Sequence, residues 1–552
     1  PNTSESKAAL LPDPETSLHI IFGSRTGNSK AAAELAYAYS GHLGLENQLH
    51  NMQNMALEDL AFMKNMLIVV STHGEGDPPA VAESFYNYLH DPELRLMDKS
   101  HFSVLALGDS SYIDYCKTGH DIRNRLLQLG SNEISPLVEC DIDYEENAKQ
   151  WVRDAVEAFV KWLPAVNKKS DKEFAFEINK IDASDAQLYY ARLLDKKMLT
   201  AAGYQKRTLH LALSVENFKS SFQPGDSFGI YAHNSRLLVD KLLKKLRFDG
   251  TTAVQSGKTT KLLKEALIQD VEITLVTPLV VEKYARATSH AALGKLLQNE
   301  AALTSYCANH DMLDLVTDFP GKLRPQDFID LLRVLKPRLY SVANSPLAYP
   351  GEVHFTVGLM EYPLNERLHS GVCSTFIADR VDVGDSIPIS LEANEKFRLP
   401  DDNNRPIIMI ATGTGVAPFR AFLQTRDHQK AKGSNWLFFG DRHADSDFLY
   451  REEFEHYFKS GLLTRLSTVF SRDTPEKKYV QQLLLENSKE LFEWIQDREA
   501  VVYLCGNKRT MGKDVKQTLE QIVEKEADLS SAEAAAYIEQ LKQQNRLQMD
   551  LY

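Results

Sequence analysis

Three loops of small polar residues, each directly behind a short apolar run, constrain this chain more than any other feature. Ser24-Arg25-Thr26-Gly27-Asn28-Ser29 follows the run at 18–22. Ser71-Thr72-His73-Gly74 follows 66–70, and Gly108-Asp109-Ser110-Ser111-Tyr112 follows 102–107. Short apolar runs bounded by turn residues are the text of buried parallel strands. Helical stretches lie between and after them, so 18–163 is expected to form a doubly wound α/β domain. In such a sheet, the loops at the carboxyl ends of the strands converge on one crevice. The first loop opens a helix, and its hydroxyls, backbone N–H groups and helix N-terminus make an anion cradle. It holds no G-K-[ST], which excludes an NTPase loop and suits a lone phosphate monoester. Taken alone it reads equally well as a Ser/Thr/Asn-rich helix cap. The other two loops, which offer backbone near a ring and an aromatic lid, shift the reading to a nucleotide site.

The bulk properties remove several classes of function. A chain of 552 residues suggests about three to five structural units. No apolar run approaches the roughly 18–20 residues of a membrane helix. The opening P-N-T-S-E-S-K-A-A-L-L-P is polar and lacks a secretory pattern, so a cytoplasmic location is expected, with no membrane anchor in the residues given; it also lacks an initiator Met, which leaves an anchor in a removed leading segment open. The five cysteines, Cys116, Cys140, Cys307, Cys373 and Cys505, are scattered without a C-x-x-C. That spacing argues against a disulfide framework or an iron–sulfur cluster and fits a reducing compartment. Neither H-E-x-x-H nor Cys/His spacing suggests zinc, and no metal is expected. His50, His310 and His369 stand alone and read as surface or core residues. A net charge of −13 argues against nucleic acid, which calls for basic stripes. The acidity is concentrated at the front, where 17–165 holds 11 Lys/Arg against 21 Asp/Glu. A basic protein partner fits that imbalance.

With its three loops in this order, the first segment resembles the flavodoxin family. The resemblance implies that 24–29 hold the phosphate of FMN. It implies that Ser71, Thr72, His73 and Gly74 flank the isoalloxazine ring on one side. On the other side would stand Leu107, Gly108, Asp109, Ser110, Ser111, Tyr112, Ile113, Asp114, Tyr115 and Cys116. Tyr112 occupies the place of the stacking aromatic. His73 stands where many relatives carry a second aromatic, so that face of the ring is expected to be less tightly covered.

Beyond a polar linker at 166–174, the text changes. Strand-like segments run from 175 to 232, helical text fills about 233–335, and strands resume at 338–341 and 353–359. From 401 onward βα alternation returns. The expected domains are therefore 17–165, 175–400 with a helical insertion at about 233–335, and 401–552. Gly225-Asp226-Ser227-Phe228-Gly229 formally matches a hydrolase nucleophile elbow. A Pro224 turn precedes it and strand text follows, so it reads as a barrel turn. In Arg338-Leu339-Tyr340-Ser341, the Arg suits a pyrophosphate and the Tyr suits a flavin face. The Ser suits the flavin nitrogen that receives hydride. Thr356-Val357-Gly358, Tyr362 and the small-residue turn Gly371-Val372-Cys373-Ser374 follow. Singly, each of these is better read as a plain strand or turn. Gly413-Thr414-Gly415 follows the apolar run 407–410 and precedes helical text, but the motif ends in Pro418 rather than a third glycine. Ser471-Arg472 and Lys477-Lys478-Tyr479-Val480-Gln481 gather hydroxyl and cationic groups, which suit a 2′-phosphate better than a bare ribose.

The order of these motifs carries a second resemblance. R-L-Y-S, G-V-C-S, G-T-G-V-A-P-F, S-R-D, K-Y-V-Q, C-G-N and the terminal D-L-Y resemble the diflavin reductase family from about 18 to 552. The Pro-ended glycine turn matches the ferredoxin–NADP reductase pattern. The implied fold is multidomain α/β plus a β-barrel: a flavodoxin-like sheet, an FAD-binding barrel with a helical insertion, and an NADP-binding α/β domain. The resemblance implies that Arg338, Leu339, Tyr340, Ser341, Thr356, Val357, Gly358, Tyr362, Gly371, Val372, Cys373 and Ser374 bind FAD, with Thr274 a further candidate. It assigns Gly413, Thr414, Gly415, Ser471, Arg472, Lys477, Lys478, Tyr479, Val480, Gln481 and Asp514 to NADPH. Ser341, Cys505 and Asp550 would steer hydride transfer, and Tyr552 would cover the FAD face as a gate. Alone, Cys505 behind V-V-Y-L reads as a small buried residue; Gly506-Asn507 brings it into the family pattern.

The implied activity is a relay from NADPH to FAD to FMN. The chain holds no haem or iron–sulfur ligand set, so the final acceptor lies elsewhere. R-L-Y-S-V-A-N-S, F-R-L-P, N-W-L-F-F-G and F-L-Y are most similar to the flavoprotein subunits of NADPH-dependent assimilatory sulfite reductases. That likeness implies a sirohaem, iron–sulfur hemoprotein partner that reduces sulfite to sulfide for cysteine biosynthesis. The acids at 141–146, with Glu75, Asp77 and Asp114, would dock it, and a homo-oligomer is compatible. Two alternatives stay open: a stand-alone reductase serving another haem protein, and a non-catalytic flavin-binding assembly subunit.

Overall fold

A computed structural model describes residues 16–24, 27–72, 76–91, 94, 99–110, 114–163, 174–178, 188–364 and 366–552. The chain divides into two compact units, one of Pro1–Asp185 with Thr277–Glu282 and one of Ala186–Val276 with Lys283–Tyr552.

The first unit is built on a parallel sheet. Its strands are β1 (Leu18–Gly23), β2 (Asn47–Asn51), β3 (Asn65–Ser71), β4 (His101–Leu107), β5 (Asn132–Glu133) and β6 (Val138–Cys140). The order is β2-β1-β3-β4-β5, with β6 also pairing β4. Strands β1, β3 and β4 are mostly apolar because helices cover both of their faces. Ile20, Leu67, Val69 and Leu105 meet Ala36 and Tyr39 of the helix Asn28–His42 and Trp151 and Phe159 of the helix Glu145–Val160. Ile21, Ile68, Val70 and Val104 meet Phe85, Ile122 and Leu126 on the other side. The order reverses between β1 and β3, and such a switch point opens a crevice at the carboxyl ends of the strands. The expected linker lies outside the described residues except for Phe174. That ring and Phe176 pack against Tyr39 at 5.1 and 4.5 Å.

Among the described residues the second unit holds two large sheets and two hairpins. The first contains β7 (Tyr189–Met198), β8 (Thr208–Ser214) and β9 (Ser227–Ile230). A largely helical stretch from Arg236–Leu246 to Pro325–Leu331 follows, interrupted by the hairpin β10 (Ala253–Ser256) and β11 (Thr259–Leu262). Then come β12 (Arg338–Ser341), β13 (Glu352–Gly358), the hairpin β14 (Glu361–Leu364) and β15 (Arg367–Ser370), and β16 (Ser386–Glu392). The antiparallel order is β12-β9-β16-β7-β8-β13. A bridge between Val342 and Phe355 brings the two edges of this sheet together. Ser227 opens a strand and pairs with Ser341, which excludes the nucleophile-elbow reading. The second sheet is parallel, with β17 (Ile407–Thr412), β18 (Asn435–Asp441), β19 (Arg465–Phe470), β20 (Val501–Gly506) and β21 (Leu547–Leu551) in the order β19-β18-β17-β20-β21. Apolar cores fill both of its faces, one around Trp436 and Trp494 and one around Phe419, Phe422 and Tyr503. Among the described residues no helix is long and apolar enough to cross a membrane.

Candidate functional sites

In the first unit the three loops leave β1, β3 and β4, which are neighbours in the sheet. Gly27 has φ 90° at the entry to the helix Asn28–His42, a left-handed turn that glycine adopts without strain. The hydroxyls of Ser24 and Ser29 are buried without a hydrogen-bond partner among the described residues. Buried polar atoms are rarely left unpaired, so a phosphate accepting from both fits this cradle. Thr72 donates its amide to Leu107 O at 2.8 Å, and its hydroxyl accepts from the Thr118 amide at 3.1 Å. It thereby ties two of the loops together. Gly108 packs so closely on Tyr115 and Cys116 that a Cβ would fall 2.8 and 2.9 Å from them. Cys116 turns its thiol under the sheet and donates to Ala106 O at 3.1 Å; burial pushes that thiol up to about 12. Arg25, Thr26, His73, Gly74, Ser111, Tyr112 and Ile113 lie outside the described residues.

One acid differs from its expected place. Asp141 is 5 % exposed and binds the Ser110 amide at 3.0 Å and the Ser110 hydroxyl. It shapes the third loop instead of facing solvent. Asp77, Asp143 and Glu146 are exposed, and Asp114 is half-buried.

In the second unit, β12 lies on the edge of the antiparallel sheet and pairs with β9. Arg338 and Tyr340 alternate with Leu339 and Ser341 along it. Tyr340 neighbours Cys373, and burial raises both their protons, the Cys373 thiol to about 11. Gly371 precedes the helix Val372–Asp379, and the Met360 amide donates to Ser374 Oγ at 3.2 Å. Tyr362 stacks on His369 at 5.2 Å. Two expected FAD residues have other polar partners. The Thr356 hydroxyl lies 2.7 Å from the Tyr450 hydroxyl, and Val357 beside it is fully buried. Thr274 commits its amide and hydroxyl to Glu272 at 2.6 and 2.7 Å.

The two sheets meet around Asp550. Ser341 Oγ donates to Asp550 Oδ2 at 2.9 Å, and Cys505 Sγ approaches the same oxygen at 3.8 Å. β20 and β21 pair Cys505 directly with Asp550. Burial raises the Asp550 carboxyl, and the hydrogen bonds from Ser341 and Cys505 work against it. The Cys505 thiol is fully buried and also raised. The turn Gly413–Val416 packs against this cluster, since a Cβ on Gly415 would fall 2.2 Å from the Cys505 carbonyl oxygen. On its other side, Gly358 approaches Thr414 so closely that a Cβ would stand 3.3 Å from the threonine methyl. The Tyr552 hydroxyl lies 2.7 Å from Thr414 Oγ1, and the residue as a whole is 45 % exposed. Ser341 of the strand expected to bind FAD, the Gly413 turn and the terminal aromatic therefore share one junction.

Farther along the parallel sheet, the Ser471 amide donates to Asp441 O at 2.9 Å, and Arg472 is exposed beside it. Lys477, Lys478 and Tyr479 are exposed, with Lys478 paired to Glu486 at 2.8 Å. Gln481 reaches Asp514 at 3.2 Å, while Val480 is buried in the core. This exposed cationic strip suits a 2′-phosphate. Sequence reasoning passed over one pair at the same edge. Lys206 Nζ donates to both oxygens of Asp441 at 2.6 Å, beside Gly413. No motif marks either residue, and 235 positions separate them.

Comparison with known proteins agrees with this layout. Family models described as flavodoxin, FAD binding domain and oxidoreductase NAD-binding domain match residues 20–152, 181–376 and 409–517. The chain is 41 % identical to a sulfite reductase [NADPH] flavoprotein alpha-component of Bacillus subtilis (strain 168), across all of this chain and 92 % of that relative. It is 36 % identical to a protein of the same description from Vibrio vulnificus (strain CMCP6), across all of this chain and 89 % of that one. The chain belongs to the diflavin reductases of the sulfite reductase flavoprotein type, which join an FMN-binding flavodoxin module to FAD- and NADPH-binding modules.

Proposed function

We propose that this chain takes hydride from NADPH onto FAD and passes electrons through FMN to the hemoprotein component of an NADPH-dependent sulfite reductase, which reduces sulfite to sulfide. The observation that carries this reading is the junction of Ser341, Cys505, Asp550 and Tyr552 with the Gly413 turn. When bound, FAD accepts the electron pair and FMN releases electrons singly.

The chain's own groups hold and orient. Arg338 takes the FAD diphosphate and Tyr340 a face of its ring. Asp550 fixes the Ser341 hydroxyl and places a carboxylate where positive charge develops as hydride leaves the nicotinamide. Buried Cys505 keeps water from that contact. Arg472 and Ser471 select the 2′-phosphate, and Tyr552 moves aside for the nicotinamide. Asp77, Asp143 and Glu146 present an acidic face to the hemoprotein, while Asp141 holds a loop.

The test uses the purified holoprotein. NADPH should bleach both flavins, and a sirohaem protein should co-purify and turn sulfite into sulfide when recombined with the chain. Bleaching without electron transfer to that protein would leave a stand-alone haem-protein reductase; no bleaching would leave an assembly subunit. Raising salt should slow transfer between the proteins by screening the acidic face.

A further inference from the structure

The Gly413 turn has an unexpected neighbour. A Cβ built on Gly413 would stand 3.6 Å from Asp441 Oδ2. Asp441 ends β18, directly beside β17, so its carboxylate lies at the sheet edge where a dinucleotide's phosphates must approach. A carboxylate there repels the ligand. The same neighbourhood contains the cation that answers it: Lys206 Nζ would stand 3.9 Å from that Cβ. Lys206 belongs to the loop between β7 and β8 of the antiparallel sheet, so one sheet neutralises the other's acid.

The pairing is built. The Asp441 side chain is 5 % exposed and that of Lys206 23 %. Lys206 also lies 3.7 Å from the fully buried Asp447. The loop is fastened by the Tyr204 hydroxyl, which donates to Asp447 Oδ2 at 3.0 Å, and by the Ala201 amide, which donates to Ser446 O at 3.1 Å. Arg207 points its charge elsewhere, to Glu361 and Asp379. Burial raises the Asp441 carboxyl, and Lys206 is the strongest influence holding it down.

We propose that Lys206 is a positioning residue that masks Asp441, and that this masking is what lets the Gly413–Gly415 turn accept the NADPH diphosphate. The proposal rests on the reading of that turn as the NADPH site. Lys206 acts through Asp441 and need not touch the nucleotide.

Rapid-mixing measurement of FAD reduction against NADPH concentration, on FAD-loaded protein, tests it. K206M keeps most of the side-chain stem and removes the charge. It should weaken NADPH binding at least about tenfold while the limiting rate stays within about threefold, the pattern of lost ground-state binding. The double variant K206M/D441N, with neither charge, should bind NADPH within about threefold of wild type. A double variant as weak as K206M would mean that Lys206 grips the nucleotide directly and would overturn masking. Unchanged binding in K206M would overturn it as well. Should K206M fail to fold with Asp441 unpaired, the double variant decides alone: near-wild-type binding supports masking and weak binding sinks it. Wild-type protein that NADPH does not bleach would instead sink the reading of the site.

Discussion

Ser341 and Asp550 lie 209 positions apart in the chain, yet the serine hydroxyl donates to Asp550 Oδ2 at 2.9 Å. Each stands on an edge strand, β12 of the antiparallel sheet and β21 of the parallel one. Hydride transfer needs a donor and an acceptor held at one distance, and this bond ties together the two sheets that carry them.

D550N should therefore reduce FAD about a hundredfold more slowly, the usual cost of losing a charge aimed at the transition state. Its NADPH affinity should change much less. Burial raises the Asp550 carboxyl. If the carboxylate is the working form, wild type loses rate as pH falls through that raised value, above the range of an ordinary aspartate. D550N should lack this limb. Stopped-flow traces across pH check both effects, and a D550N rate equal to wild type would remove Asp550 from the hydride step.

Tyr552 is held by one side-chain hydrogen bond, to Thr414 at 2.7 Å, and is 45 % exposed. Replacing it with Ala should tighten NADP⁺ binding about tenfold, because the nicotinamide no longer competes with a ring for its place. Turnover should drop as product leaves more slowly. Calorimetry with NADP⁺ reads the first effect and steady-state kinetics the second; weaker NADP⁺ binding would show that the ring supports the nucleotide.

Ser29 makes a sharper separation. Its hydroxyl is buried and unpartnered among the described residues. S29A should leave the FMN-free protein as stable as wild type or slightly more so, since it removes an unsatisfied polar group. FMN binding should weaken by about 1 kcal/mol or more, at least fivefold, through the lost phosphate contact. Flavin release on dialysis and melting of the stripped protein measure the two sides. A variant that melts lower and keeps its FMN would mean that the hydroxyl serves the fold alone.

What was legible in the sequence is what depends on neighbours along the chain. Apolar runs buried on both faces announced β1, β3 and β4, and small-residue loops behind strands announced the crevices. Contacts between distant segments left no such trace. The Thr356 hydroxyl lies against Tyr450, which sits at φ 56° at the start of the helix Arg451–Ser460, a contact that no motif announces. Asp141 read as one acid in an exposed run, and the loop it caps turns it inward. The Lys206–Asp441 pair joins two sheets through residues that belong to no motif. Periodicity reports which face of an element is buried. It says nothing of which polar group waits on the other side.

The imidazoles of His210 and His354 form the last test. Both are buried, their rings meet edge to face at 4.9 Å, and Arg420 Nη1 lies 3.5 Å from His354 Nδ1. His210 also faces the Tyr450 hydroxyl at 3.0 Å, and His354 faces Glu352 at 2.9 Å. Burial first and Arg420 second depress both groups, His210 to about 3 and His354 to about 4. Unfolded imidazoles take up protons near pH 6.5, and the folded ones do so only at much lower pH. Stability is therefore full above that unfolded value and falls as pH drops toward the folded values, by up to about 1.4 kcal/mol per pH unit for each imidazole. Carboxylates join the acid response below about pH 5, so the window from about 6.5 down to 5 isolates the histidines. Melting curves there should show H210Q/H354Q, with neutral side chains at both positions, losing stability less steeply than wild type, the remaining slope coming from the other depressed imidazoles, His19, His50 and His233. Equal slopes in the two proteins would place the acid sensitivity elsewhere.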